Sequence, residues 1–146
     1  MSGAIFSPDQ QAFLARMRVA RLATADAAGQ PHVIPIVFAA DDQNVYSPLD
    51  EKPKRVAPSQ VKRVRNLLAN PQVGIVVDEY HEDWTRLVWM MVTGTATVVE
   101  DGESHAAGVR LLEEKYPQYR MMPLASRPII VVTPRKVTTW KANNRL

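Results

Sequence analysis

A cluster of positively charged side chains is the feature of this sequence best suited to chemistry. Between Pro48 and Pro71 the chain carries six of its eighteen Lys and Arg residues: Lys52, Lys54, Arg55, Lys62, Arg63 and Arg65. Cations beside a helix N-terminus favour phosphate, because the helix dipole and the free N–H groups also attract an anion. The cluster therefore predicts a site for an anionic ligand. The alternative is that these cations bind no ligand and only form the solvent-exposed surface of a helix.

The same stretch predicts a loop followed by a helix, which would position these cations. Ser59 is the expected N-cap, and Asn70-Pro71 is a typical helix end. Helical spacing puts one apolar stripe on Val61, Val64, Leu67 and Leu68. We expect Lys62, Arg63 and Arg65 to lie away from this stripe, so that the helix packs on a core and leaves its cations free.

Trp84 and Arg86 are the second candidate pair. We expect them on one face at the start of a long strand from Trp84 to Glu100, where an aromatic plane and a guanidinium could frame a flat conjugated ring and its anionic groups. A core or interface tryptophan beside a surface arginine is the alternative. That strand has apolar residues at both odd and even positions, which indicates burial on both faces, inside a barrel or against a partner subunit.

Other common site chemistries find little support in the sequence. The chain has no cysteine, and its histidines (His32, His81 and His105) do not show metal-ligand spacing. A P-loop and a GxSxG motif are also missing. A metal site and a hydrolase are therefore not expected, and nucleic acid is an unlikely partner because the aromatic residues are not interleaved with the basic cluster.

Composition places the chain among ordinary globular proteins. With 46% hydrophobic and 23% charged residues over 146 positions, we expect one domain spanning residues 1–146. The net charge of +3 favours an anionic partner. The sequence shows neither a signal peptide nor a stretch long enough to cross a bilayer, so we expect no membrane contact and a cytoplasmic location.

The order of predicted elements favours a small antiparallel β-barrel with flanking helices. Ser7-Pro8-Asp9-Gln10 predicts a capped helix start. Strands are expected at Val19–Thr24, His32–Ala39, Val45–Ser47, Gln72–Asp78 and Trp84–Glu100, followed by two last strands at Pro128–Thr133 and Lys136–Trp140. Strands and helices do not alternate regularly and GxGxxG is missing, which argues against a Rossmann fold. Pro35 indicates an edge strand or a bulge.

Three segments, in order, resemble one known group of proteins. They are RLATADAAGQPHVIPIVF (Arg21 to Phe38), KRVRNLLANPQVGIVVD (Lys62 to Asp78) and VTGTATVVED (Val92 to Asp101). On these segments the chain resembles the pyridoxamine 5′-phosphate oxidase-like flavin-binding split β-barrel superfamily, and within it the deazaflavin (coenzyme F420)-dependent oxidoreductases. The resemblance implies a mainly β fold: an antiparallel, homodimeric split β-barrel with cofactor sites at the subunit interface.

The resemblance also implies a set of cofactor-binding residues. The flavin-type ring would lie along Val33, Ile34, Pro35 and Ile36, and the phosphate arm would meet Tyr46 and Ser47. The basic residues at the phosphate would be Lys52, Lys54, Lys62 and Arg63. Trp84 and Arg86 would approach the site from the other subunit.

Departures from the family pattern refine the expected activity. His32–Val37 replaces the Arg-x-Val-Leu-Leu-Lys strand of the true pyridoxamine phosphate oxidases, and their C-terminal substrate-binding segment is missing. This argues against vitamin B6 oxidation and favours the deazaflavin over FMN. The expected activity is hydride transfer from reduced coenzyme F420 to an electron-poor conjugated small molecule, without a dedicated acid or base. An FMN- or haem-binding carrier or sensor without catalysis is the alternative.

Overall fold

Seven antiparallel strands form one sheet in the structure, a computed structural model that describes residues 3–49 and 61–142. Within these residues the helices are α1 (Pro8–Arg16), α2 (Lys62–Ala69) and α3 (Glu103–Lys115). The strands are β1 (Ala20–Ala25), β2 (Pro31–Ile36), β3 (Ala39–Ala40), β4 (Val45–Pro48), β5 (Gln72–Glu79), β6 (Val88–Val99) and β7 (Ile129–Lys141). The predicted mainly β, antiparallel fold is confirmed.

The strand order makes the sheet curl into an incompletely closed barrel. The order across the sheet is β2-β1-β5-β6-β7-β4-β3, so β2 and β3 are its two outer strands. Yet only Val37 and Phe38 separate β2 from β3 along the chain. From Ile36 to Ala39 the chain takes three Cα–Cα steps, which span at most about 11 Å, so the end of β2 and the start of β3 must lie close together. The sheet is therefore wrapped into a split barrel, and Pro35 lies on an edge strand as expected.

A close backbone contact at Gly94 bends the two longest strands. The β6–β7 register shifts between Thr93 and Gly94, which pair with Lys136 and Pro134. A Cβ atom at Gly94 would overlap the carbonyl oxygen of Thr133. This is the close approach that a glycine in the middle of a strand predicts.

The apolar side chains form two clusters. One fills the barrel and includes Phe6, Leu22, Ile75, Met90 and Val92. The other lies between the sheet and α3 and contains, among others, Tyr46, Leu112, Tyr116, Leu124 and Ile129. The sheet therefore has a fully packed inner face, while α3 covers one part of its outside.

The outer face of β6 is only partly buried within one chain, which does not place the strand in the middle of a closed barrel and leaves cover by a partner subunit as the other expected alternative. Met90, Val92, Gly94 and Ala96 are buried, whereas Trp89, Met91, Thr93 and Thr95 between them are only half-buried. The apolar residues at odd positions thus remain partly accessible in the single chain.

Two hydrogen bonds join the C-terminal ends of α1 and α3. The Lys115 ammonium donates a hydrogen bond to the carbonyl oxygen of Leu14 in α1 (2.9 Å), and the Arg18 guanidinium donates one to the carbonyl oxygen of Lys115 in α3 (2.9 Å). Cations suit these positions because the last carbonyls of a helix carry partial negative charge. At its other end α1 has the predicted capping box of Ser7 and Gln10.

Three local expectations were wrong. Trp84–Arg86 is a 3-10 turn and the strand begins at Val88, because the Asp83 carboxylate accepts hydrogen bonds from the backbone and hydroxyl of Thr85 and holds the chain in a turn. The predicted strand His32–Ala39 is broken at Val37-Phe38 into β2 and β3, where the chain passes between the sheet edges. The last strands are one continuous strand, β7.

Candidate cofactor site

The N-terminus of α2 has no side-chain cap among the described residues. Its N-cap is Val61, not the expected Ser59, which lies outside the described residues. Val61 offers no side-chain acceptor to the first N–H groups, and the first turn has no acidic residue. In contrast, α1 has both a Ser7 cap and Asp9 in its first turn. The uncapped donors and the helix dipole make this end of α2 suited to an anionic group.

The packing of α2 corrects the predicted apolar stripe. Leu68 is 71% exposed, whereas Arg63 and Asn66 are buried beside Val64 and Leu67. The reason is a polar surface beneath the helix: the Asn66 amide donates to the Thr24 hydroxyl of β1 (2.9 Å). Sequence reasoning missed Asn66 and Thr24, although the helical position of Asn66 next to Leu67 was a usable signal.

Arg63 is held against the barrel and does not lie free in solvent as expected. Its side chain is 8% exposed, and one guanidinium nitrogen lies 3.5 Å from the carbonyl oxygen of Pro48 at the end of β4. A buried guanidinium keeps its charge and its directional donors. Arg63 thus brings positive charge to the point where β4 ends and α2 begins.

Lys62 is half-buried and acts electrostatically on the β1–β2 turn. Hydrogen bonds from the backbone N–H groups of Gln30 and Ala28 lower the pKa of Asp26, and the positive charge of Lys62 contributes to the same effect. Asn70, the C-cap of α2, lies against the same turn. The turn therefore fixes α2 relative to β1 and β2.

His32 carries a buried donor or acceptor with no partner in the described residues. Its Nδ1 atom is buried and makes no hydrogen bond. His32 pairs across the sheet with Thr24, the partner of Asn66, so it belongs to the same end of the barrel. A buried polar atom without a partner is costly unless a ligand or water satisfies it.

The predicted ring-binding strand is an edge strand with two different faces. Val33 is 61% exposed and Pro35 is exposed, whereas Ile36 is buried and Ile34 packs against the barrel core. In the described residues β2 pairs only with β1. Because Pro35 has no N–H to give to a neighbouring strand, its position suits the open side of β2.

Tyr46 and Ser47 lie near this end of the barrel, but both side chains already have partners. The Tyr46 hydroxyl donates to the Asp41 carboxylate (2.8 Å), and burial raises its pKa. The Ser47 hydroxyl donates to the carbonyl oxygen of Val37 (3.0 Å). The roles of Tyr46 and Ser47 in a cofactor site stay predictions.

Trp84 and Arg86 lie at the opposite end of the barrel in the same chain. The register links Pro48, beside Arg63, through Ile129 to Val99 at the end of β6. Arg86 precedes Val88 at the other end of this 12-residue strand, roughly 36 Å of strand path away. One chain therefore does not bring Arg86 to α2. Lys52 and Lys54 lie outside the described residues.

The described residues include no group of three or more side chains arranged to hold a metal ion. The described helices are all too short or too polar to cross a membrane. This end of the barrel offers the cations Lys62 and Arg63, the first N–H groups of α2 and the buried Nδ1 of His32, which has no hydrogen-bond partner in the described residues. These groups fit the phosphate of a nucleotide-like cofactor, and the open edge of β2 fits a flat ring beside it.

Comparisons with known proteins agree with this fold. A family model described as pyridoxamine 5′-phosphate oxidase matches residues 6–141. A comparison with curated protein sequences finds no match.

Several solved structures share the fold across nearly the whole chain. A conserved hypothetical protein from Mycobacterium tuberculosis has a TM-score of 0.75 and 18% identity, with 97% of this chain and 89% of that chain covered. HutZ, the heme storage protein from Vibrio cholerae, has a TM-score of 0.71 and 20% identity, with 93% and 94% covered. A protein described as F420 reductase has a TM-score of 0.64 and 23% identity, with 94% and 98% covered.

Proposed function

This chain belongs to the pyridoxamine 5′-phosphate oxidase family, and from that premise we propose that it is an oxidoreductase with a flavin-type cofactor. Reduced coenzyme F420 is the proposed cofactor, with FMN as the alternative, and the proposed acceptor is an electron-poor conjugated small molecule. The observation that carries the proposal is the uncapped N-terminus of α2, with Lys62 and Arg63 beside it.

In this proposal the end of the barrel at α2 holds the phosphate. Lys62 and Arg63 supply positive charge, and the first N–H groups of α2 supply donors that need no rearrangement. The hydrogen bond between Asn66 and Thr24 fixes the helix against β1, which keeps these donors in place. His32 offers a ring nitrogen that the described residues leave unsatisfied.

The open edge of β2 holds the ring. Along a strand the directions of the side chains and of the backbone N–H and C=O groups repeat at every second residue. The backbone groups of Val33 therefore point to the same edge of the strand as the backbone of Pro35. Val33 then presents its N–H and C=O to the open edge, where ring nitrogen and oxygen atoms can pair with them. Bound there, the reduced cofactor supplies the hydride. The chain's own contribution is to bind, to orient and to exclude water.

Two observations favour the deazaflavin over FMN. The sequence carries Lys52, Lys54 and Arg55 in addition to the pair on α2, which suits a cofactor with a phosphodiester and a polyanionic tail. Among the proteins of similar fold, the one described as F420 reductase has the highest identity of those named above, at 23%.

Absorption spectroscopy tests the cofactor directly. The purified protein is titrated separately with coenzyme F420, FMN and haem, and then assayed for reduction of a test enone. We expect submicromolar affinity for the deazaflavin alone, together with enone turnover. Tight binding of FMN or haem without turnover would instead support a carrier or sensor.

A charge-matched pair of variants locates the phosphate. Lys62→Gln and Arg65→Gln each remove one cation from α2, but Lys62 is half-buried at the N-terminus and Arg65 is exposed on the helix surface. We expect about tenfold weaker cofactor binding for Lys62→Gln, because a charge-assisted hydrogen bond is lost. The Arg65→Gln variant is expected to bind like the wild type. Equal effects of both changes would count against a phosphate at this end of α2.

The outer face of the sheet supports a homodimer as part of the proposal. Val33, Val76 and Trp140 are 61%, 36% and 42% exposed, and Trp89 and Met91 are half-buried. The register joins them, since Val76 pairs with Met91 and Trp89 with Trp140. A partner subunit on this face would cover it and could bring the partner's hairpin, which carries Trp84 and Arg86, towards the cofactor.

Light scattering on a sizing column measures the assembly. We expect twice the chain mass of 16.3 kDa for the wild type. The Val76→Glu variant is expected to elute as a monomer, because a charge would be buried in an apolar contact. Leu68→Glu is the control, since Leu68 is exposed and lies on α2 and not on a strand of the sheet. A wild-type monomer, or a dimer that survives Val76→Glu, would contradict this arrangement.

A further inference from the structure

A cavity of about 590 Å³ lies between α1, the 3-10 turn at Trp84–Arg86 and the paired ends of β6 and β7. Its volume is within the range of small-molecule sites. A hydrogen bond from the Gln10 amide to the Thr139 hydroxyl (3.0 Å) joins α1 to β7 beside it. The cavity is thus bounded on one side by a helix and on the other by the sheet.

Two cations at this cavity make no direct hydrogen bond or ion pair in the described part of the chain, although the charge of Arg86 contributes to the lowered pKa of Asp83. The side chains of Arg86 and Lys141 both line the cavity and are exposed, and neither makes a hydrogen bond or an ion pair with a described residue. Arg16, the other basic residue in the lining, is paired with Glu79 at 3.0 Å. Unpaired cations at a concave site are available to an incoming anion.

The charge balance selects the type of anion. Three basic residues (Arg16, Arg86 and Lys141) face two acidic ones (Asp9 and Glu79), which leaves one excess positive charge. The hydrogen bond from Arg16 lowers the pKa of Glu79, so this carboxylate is ionised at neutral pH. A single negative charge matches this lining, whereas a phosphate dianion would be repelled by Asp9 and Glu79.

The floor of the cavity is apolar. Phe13, Leu87 and Val88 are half-buried there, and each keeps part of its surface accessible from the cavity. A ligand that covers these side chains gains about 25 cal/mol for each Å² of apolar surface removed from water. The lining therefore favours a molecule with an apolar body and a charged end.

We propose that this cavity binds a small organic monoanion, a carboxylate with an apolar body. Arg86 and Lys141 hold the carboxylate, and Phe13, Leu87 and Val88 contact the apolar part. The lining comes from one chain and contains none of the α2 residues, because the cavity lies at the opposite end of β6. In a single chain this cavity is separate from the proposed cofactor site at α2; Arg86 is also a residue that the proposed dimer would bring towards the cofactor.

Calorimetric titration of the full-length protein with benzoate tests the site, with benzyl alcohol as the neutral analogue of similar size. We expect saturable binding of benzoate and at least tenfold weaker binding of benzyl alcohol. Arg86→Gln and Lys141→Gln should each weaken benzoate binding about tenfold through the loss of a charge-assisted contact. Lys136→Gln is the control, since Lys136 is an exposed cation on the same strand that does not line the cavity.

A third variant tests the volume of the cavity and not its charge. Ala12 lines the cavity from the exposed side of α1, so Ala12→Phe should fill it and abolish benzoate binding without unfolding the protein, as circular dichroism would verify. Absence of saturable benzoate binding, equal affinity for benzyl alcohol, or an equal effect of Lys136→Gln would each overturn the proposal. Lys62→Gln should leave benzoate binding unchanged, which separates this result from that of the cofactor titrations.

Discussion

The close contact at Gly94 makes a strong prediction about stability. A Cβ atom at this position would overlap the carbonyl oxygen of Thr133 and would lie 2.9 Å from the Cα of Pro134 and 3.0 Å from the backbone nitrogen of Arg135. All three atoms belong to the backbone of β7, so no side chain can rotate away. Relief would require β6 and β7 to separate where their register shifts.

The expected cost of Gly94→Ala follows from this geometry. Overpacking a well-packed interior costs about 1–3 kcal/mol, and we expect the upper end because backbone must move. Gly74→Ala is the matched control, since Gly74 lies on the adjacent strand β5 and a Cβ there would meet nothing within 4 Å. Without strain, that change should stabilise the protein by about 0.4–1 kcal/mol through the unfolded chain.

Thermal unfolding followed by circular dichroism measures both variants. For a chain of this size, 1 kcal/mol corresponds to about 3–4 °C in Tm, so Gly94→Ala should melt about 10 °C below the wild type. An unchanged midpoint for Gly94→Ala would refute the reasoning. So would an equal loss in Gly74→Ala, which would mean that glycine is needed in these strands for a reason other than space.

The remaining predictions concern the attachment of two helices. Asn66→Ala removes the partner of the buried Thr24 hydroxyl, so we expect a loss of about 1–3 kcal/mol in the free energy of unfolding, together with weaker cofactor binding. Urea unfolding measures the first effect and cofactor titration the second. Unchanged values of both would show that this hydrogen bond does not position α2. Burial, with a contribution from the charge of Arg18, lowers the pKa of Lys115 to about 8. Because the unfolded chain keeps this proton up to about pH 10.4, the contribution of Lys115 to the free energy of unfolding should rise as pH increases from about 8 towards 10. Lys115→Met should lack this rise in a urea series between pH 7.5 and 10, and an identical pH profile in both proteins would contradict the assignment.

Local signals in the sequence were sufficient for much of the fold. The Ser7–Gln10 capping box, the end of α2 at Asn70-Pro71 and the edge position of Pro35 each depend on neighbouring residues, and the structure has all three. The order of the three segments that resemble the family was enough to predict a split barrel. These features needed no knowledge of distant contacts.

The errors arose where a distant or competing contact decided the outcome. Helical spacing put Leu68 on the buried side of α2, but the Thr24 hydroxyl on β1 selected Asn66 instead. Strand propensity extended β6 back to Trp84, but the Asp83 side chain stabilised a 3-10 turn. The cavity beside Arg86 depends on α1 meeting the end of β7, a contact between residues more than a hundred positions apart.

The short connection between β2 and β3 has a consequence for how a ligand would enter. The barrel is closed at this seam by the covalent link of Val37 and Phe38, while in the described residues β2 makes its ladder only with β1. A flat molecule that inserts along the open side of β2 would therefore break no strand-to-strand hydrogen bond. Its rate of entry would depend on diffusion and on nearby loops, and not on local unfolding of the sheet.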